Sequence, residues 1–163
     1  MLFRRGRNQD ETQDETPAQR RTLESYAVTV EDILRTLSIP PEDARLPTED
    51  GFGWTFRRGS AIIEVYVSEQ EERGYFQVLS PIMHLSNGGL LPLYRRLLEL
   101  NLQLTNASLG VYYDVVYVFN ERNLEGLDAV EANNIMALVA GYADDLDNQL
   151  VDEFGGRLYS QAE

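Results

Sequence analysis

The chain of 163 residues contains no lysine, no cysteine and a single histidine, His84. All 14 of its basic residues are therefore arginines. These absences remove much of the common repertoire of enzyme chemistry. There is no Schiff-base or phosphate-loop lysine, no thiolate nucleophile, and no cysteine or multi-histidine zinc site. A Ser-His-Asp triad could draw only on His84. No apolar run is long enough for a transmembrane helix. Positive charge is scarce as well: 27 acidic residues leave a formal net charge of −13. Such a surface repels phosphate backbones and anionic membranes, so neither nucleic acid nor a membrane is an expected partner. It suits a basic or amphipathic protein partner, or serves solubility alone. The lack of cysteine fits a reducing compartment, and a cytoplasmic location is the expectation.

What is present points to one globular domain. Hydrophobic residues make up 43% and charged residues 25% of the chain, a folded rather than a disordered profile. Residues 1–21 carry only Met1, Leu2 and Phe3 as large apolar side chains. That segment reads as a flexible charged tail, basic at both ends (Arg4, Arg5, Arg7; Arg20, Arg21) around an acidic middle. The positive start is followed by Asn8-Gln9-Asp10-Glu11, with no apolar stretch, so a signal peptide is not expected. The domain is placed at residues 22–156, with 157–163 as a short C-terminal tail.

From Leu23 the apolar residues recur at three and four: Tyr26, Ala27, Val30, Ile33, Leu34 and Leu37. Thr22 is a plausible N-cap, Pro40-Pro41 ends the helix, and the β-branched run Val28-Thr29-Val30 is a possible break. Residues 40–50 read as a loop. Phe52, Trp54 and Phe56 alternate with small or polar residues, as do Ile63, Val65 and Val67, and a third strand spans Tyr75 to Met83. Short links make these an antiparallel meander. A helix is expected from Pro92 to about Thr105. Leu93, Leu97, Leu100 and Leu104 form one stripe along it, and Tyr94, Leu98 and Leu102 a second beside it. That arc is wider than one sheet surface needs. The helix is either sandwiched within the monomer or shares its second stripe with another subunit. The run Ala107 to Asn120 is long for one strand and reads as two, folding near Tyr113-Asp114. A last helix is expected from near Asp128 to Phe154, stopped by Gly155-Gly156. The order is α-β-β-β-α-β-β-α, an α+β fold with helices against an antiparallel sheet.

Several residues invite a chemical reading. His84 follows the third strand between Met83 and Leu85, and a hydrogen-bonded structural role suits it better than acid–base catalysis. Asp144, Asp145, Asp147, Asp152 and Glu153 resemble a cation site, but helical geometry fans them apart and no loop glycine is present, so a solvated face is expected. Asn87-Gly88-Gly89 ahead of a helix could offer amides to an anion, yet both phosphate-loop patterns are missing and a plain turn is the simpler reading. Arg57-Arg58 and Arg95-Arg96 could each clamp a carboxylate, the protein's own being the nearest.

Three stretches carry a family resemblance. They are Pro92-Leu93-Tyr94-Arg95-Arg96-Leu97-Leu98-Glu99-Leu100-Asn101 with Leu104-Thr105-Asn106; the aromatic hairpin Val111 to Phe119; and Leu124-Glu125-Gly126-Leu127-Asp128 with Ala143-Asp144-Asp145-Leu146-Asp147. From about Thr22 to Gly156 the chain resembles the YbjN family, which has the fold of bacterial type III secretion chaperones. The resemblance implies the same element order and carries no catalytic residues. In chaperones of this fold, dimers bind extended segments of client proteins. The expectation is thus a non-enzymatic, protein-binding, chaperone- or adaptor-like homodimer without cofactor or metal. Tyr94, Leu98 and Leu102 are its expected interface. The alternative is a small-ligand sensor with a pocket between sheet and helices lined by Trp54, Tyr66, Tyr112 and Tyr117. A third reading is an enzyme using carboxylates and a divalent ion.

Overall fold

The computed structural model describes residues 22–161. Its first helix, α1 (Leu23–Thr36), is capped by Thr22, whose side chain accepts from the Ser25 amide. The helix runs through Thr29 without a break, because Tyr26, Ala27, Val30, Ile33 and Leu34 are all buried, and tertiary burial outweighs the modest helix penalty of β-branching. The stretch read as a loop holds a single helical turn, α2 (Pro41–Ala44), and a two-residue strand, β1 (Arg45–Leu46).

Three long antiparallel strands follow: β2 (Phe52–Arg58), β3 (Ala61–Gln70) and β4 (Arg73–His84). Then come α3 (Leu90–Asn101), β5 (Ser108–Tyr112), β6 (Val115–Asn123) and the long α4 (Ala129–Phe154). The sheet order is β1-β2-β3-β4-β6-β5. Helix α3 ends at Asn101 rather than Thr105. The Asn101 side chain instead binds the Leu109 backbone, accepting from its amide at 2.6 Å and donating to its carbonyl at 3.2 Å. At the other end α4 begins and ends where its local signals place it. Asp128 accepts from the Glu131 amide at 2.8 Å, and Gly155 caps the last turn with a φ of 75°. The β5–β6 turn falls on Tyr113-Asp114, both with positive φ, the conformation a two-residue hairpin loop requires.

The segment expected as a C-terminal tail belongs in part to the body. Arg157–Leu158 forms β7, paired with His84 and Met83 of β4, and Tyr159–Gln161 adds a 3₁₀ turn. Because β6 already pairs with these two residues through Val116 and Val115, β7 takes the edge of β4 that β3 leaves free. Gly156 makes this approach possible: a Cβ there would lie 2.4 Å from the His84 carbonyl oxygen.

Side chains alternate across the sheet with period two. Ala61, Ile63, Val65 and Val67 of β3, Trp54 and Phe56 of β2, Phe76 and Val78 of β4, and Val116 and Val118 of β6 point to one side and are buried. On that side lie α1 and α4, with Ile135, Met136, Val139, Ala143 and Leu150 of α4 filling the space. Leu93, Leu97 and Leu100 of α3 join the same core. Among the described residues no α-helix covers the other side of the sheet, and only the 3₁₀ turn touches it, where Tyr159 stacks on His84.

Candidate functional site

Two uncovered surfaces follow from this architecture. The first is the second stripe of α3. Tyr94, Leu98 and Leu102 are 38%, 69% and 90% exposed, and Leu91 on the same helix is 80% exposed. Among the described residues nothing sandwiches this side of the helix. Asn101 anchors its C-terminal end to β5, so the stripe lies beside the outermost strand. Val111 and the hairpin tip, Tyr112 and Tyr113, are exposed there too. The tip rings meet edge to face at 4.4 Å. A cluster of large apolar side chains of this kind, beside an unpaired strand edge, is uncommon on a solvated monomer. Its charged neighbours are internally neutralised: Arg95 pairs with Glu99 at 2.9 Å, and Arg96 lies 4.0 Å from Glu153 of α4.

The second surface is the helix-free face of the sheet. Registers place Tyr66, Gln77 and Glu121 in one cross-strand row, Glu64, Leu79, Phe119 and Ser108 in the next, and Pro81, Tyr117 and Gly110 in a third. Two glycines on this face lie under aromatic rings. A Cβ at Gly53 would be 3.0 Å from the Tyr66 ring, and one at Gly110 would be 3.2 Å from that of Phe119. Tyr66 donates to Glu64 at 3.0 Å. Partial burial, followed by the adjacent Glu64 carboxylate, holds the Tyr66 hydroxyl well above the usual tyrosine range. Tyr117 is raised too, by burial first and then by Tyr159 and Glu64. Both rings therefore present neutral hydroxyls over a wide pH range. Gln77 and Glu121 hydrogen-bond across the face.

The four aromatics proposed as a pocket do not converge between sheet and helices. Trp54 is fully buried in the core, whereas Tyr66 and Tyr117 lie on the opposite, helix-free face. Tyr112 is 65% exposed at the hairpin tip. The parity of each strand was readable from sequence, but which face the helices would cover was not.

The remaining candidates resolve into structural roles. Asp144 accepts from the Ser60 hydroxyl and, at 3.2 Å, from its amide, clamping the β2–β3 turn onto α4. These bonds pull the Asp144 carboxyl below its ordinary value. Asp145 and Asp152 face solvent and Asp147 is buried, so the acidic run does not gather. Among the described residues no group of three or more His, Asp or Glu side chains could hold a metal ion. His84 stacks on Tyr159 with ring centroids 5.2 Å apart. It borders a cleft of about 770 Å³ that includes Ser86, Asn87, Asp114 and Arg157. Sequence reading missed that cleft because β7, a two-residue strand, brings Arg157 to it. Among the described residues no helix is long and apolar enough to cross a membrane.

Comparison with known proteins gives this geometry a family. Residues 28–162 match the model described as T3SS (YopN, CesT) and YbjN peptide-binding chaperone 1. The chain belongs to this chaperone family. No curated protein matches it. Among solved structures, a chain of the ExsC–ExsE complex superposes with a TM-score of 0.61 at 12% identity, covering 78% of this chain and 95% of that one. A chain of the HopA1–SchA chaperone–effector complex gives 0.55 at 14% identity, covering 76% and 93%. At such identities the likeness is one of fold. The α+β architecture of this TY-Chap1 chain is thus that of secretion chaperones.

Proposed function

We propose that this TY-Chap1 protein is a cytoplasmic, non-enzymatic chaperone or adaptor that works as a homodimer and binds an extended segment of a client protein. The observation that carries the dimer is the exposure of Leu98 on α3 and of Leu102 at its C-cap, beside a stripe of Leu93, Leu97 and Leu100 that is buried. Tyr94, Leu98 and Leu102 of two copies would form the centre of an interface, with Leu91 and the hairpin tip at its margin. A stable interface buries on the order of 1,600 Å² in total, and one stripe with the tip is a sensible nucleus for that area. The family description supports a peptide as the client class. The helix-free sheet face supports it physically. It offers a flat apolar strip with alternating aromatic and polar groups, suited to an extended chain whose side chains alternate in the same way.

Light scattering with the full chain tests the dimer: twice the chain mass is expected, falling to one on substitution of the stripe. A ligand-sensing role has one observation in its favour, the His84 cleft, where Arg157 has no ion-pair partner among the described residues. A thermal-shift screen with small carboxylates would expose such a role as a reproducible stabilisation.

A further inference from the structure

We propose that residues 1–7 of this chain, Met1-Leu2-Phe3-Arg4-Arg5-Gly6-Arg7, dock on the helix-free sheet face of the same molecule, with the arginines over its acidic end. The proposal rests on reading that face as a peptide surface and names its resident occupant. The charge distribution argues for it. At the end of the sheet where β2 begins and β3 turns into β4, Glu49, Asp50, Glu69, Glu71 and Glu72 are all exposed. None has an ion-pair partner among the described residues. Register brings the two groups together, since Phe52 pairs with Val67 and Gln70 with Arg73. Glu69 has the parity of Val65 and Val67 and so turns toward the helix side, whereas Glu49, Asp50, Glu71 and Glu72 lie in the connections at that end, and Arg73 is the one arginine beside them. Beside the acidic end lies the apolar strip of Tyr66, Tyr75, Leu79 and Phe119.

The leader has the complementary order. Met1, Leu2 and Phe3 are the only large apolar residues among the first 21, and three arginines follow within four positions. Apolar side chains on the strip would set the arginines against the carboxylates, and guanidinium groups also stack well on tyrosine rings. The α3 stripe is a poorer match, because its neighbouring carboxylates Glu99 and Glu153 are already held by Arg95 and Arg96 and leave nothing for the leader's arginines. Reach is ample. The 14 residues from Asn8 to Arg21 span up to about 46 Å when extended. A domain of this size has a radius of gyration of only about 14 Å. A flexible tether of that length would hold the leader at an effective concentration on the order of millimolar, enough to populate docking of submillimolar affinity. A client would then have to displace the leader.

The test places the photo-crosslinker benzoylphenylalanine at Phe3 of the full chain, with mixed light and ¹⁵N-labelled copies to separate links within a chain from links between chains. The expected result is intrachain crosslinks to residues 64–79 and 117–121. The charge-reversed R4E/R5E/R7E variant should dock about tenfold more weakly, the effect of three exposed ion pairs. Crosslinks confined to α3, crosslinks only between chains, or none at all would overturn the proposal. A second arm titrates a fluorescein-labelled peptide of residues 1–10 onto the full-length L2D/F3D chain. Peptide binding that is lost in Y66S/F119S, together with absent intrachain crosslinks, means the face takes peptides but not its own leader. If the crosslinks and the peptide binding are both absent, the reading of the face as a peptide surface falls too.

Discussion

The exposed α3 stripe makes a quantitative forecast. Replacing Leu98 and Leu102 by glutamine keeps helix propensity, adds no charge and removes two large apolar side chains. Complete burial of a leucine side chain contributes about 2 kcal/mol. With 69% and 90% of these residues still exposed in the monomer, dimer formation has roughly 3 kcal/mol per protomer to gain from them, about 6 kcal/mol for the pair. Losing that much weakens association by about four orders of magnitude. A dimer of micromolar affinity would become monomeric at any practical concentration, and a nanomolar one would dissociate below about 10 μM. The monomer's own fold should hardly notice, since exposed positions usually change stability by less than about 0.5 kcal/mol. The neighbouring Leu97→Ala is the contrast. Leu97 is buried, and its truncation should cost about 2–5 kcal/mol of folding stability. Light scattering reads mass and urea unfolding reads stability on the same samples. The reasoning is refuted if L98Q/L102Q unfolds as easily as L97A, which would make the stripe core. It is equally refuted if the unaltered protein is a monomer at high micromolar concentration.

Other consequences can be checked singly. Gly156→Ala should weaken or detach β7, both because its φ of 97° disfavours a side chain and because the new Cβ would meet the His84 carbonyl at 2.4 Å; faster amide exchange at Met83 to His84 would report it. Asp128→Ala removes the α4 cap and should cost about 1 kcal/mol in urea unfolding. Because the folded state raises the Tyr66 hydroxyl above its unfolded value of 10.0, the associated stability is complete below pH 10 and is lost as pH climbs toward the folded value. Tyr66→Phe should flatten that alkaline decline in a denaturation series. Asp144 has the opposite sign: its lowered value contributes stability above the unfolded 3.8 that fades as pH falls below it. Ser60→Ala should therefore shift the Asp144 carboxyl titration, followed by NMR, back toward 3.8.

The parts of the fold that sequence made legible are those with local causes. Helix α4 begins at a side-chain cap and ends at a glycine, and both signals lie within a few residues of the boundary they set. The β5–β6 turn could be placed near Tyr113-Asp114 because the run from Ala107 to Asn120 is long for one strand. The elements that escaped are short: α2 and the 3₁₀ turn are single turns, and β1 and β7 are two residues long and exist only through pairing with β2 and β4. The end of α3 was set by Asn101 reaching Leu109, again a partner outside the local pattern. The same division applies to the surfaces. The second leucine stripe was evident at helical spacing, and the structure adds that nothing among the described residues covers it. The tyrosines were assigned to the wrong side of the sheet for a physical reason. Alternation fixes which residues share a face, while the choice of face depends on where three separate helices settle.

The position of β7 has a bearing on how the molecule is made. Its two residues close the β4 edge at Met83 and His84, yet they follow the whole of α4 in the chain. During synthesis the meander, the β5–β6 hairpin and most of α4 have left the ribosome before this edge can be covered. Until then the nascent chain carries an open strand edge next to the cleft, a surface on which a foreign strand could pair. The residues that follow α4 thus act as a seal, and chains truncated ahead of Arg157 should aggregate rather than merely loosen.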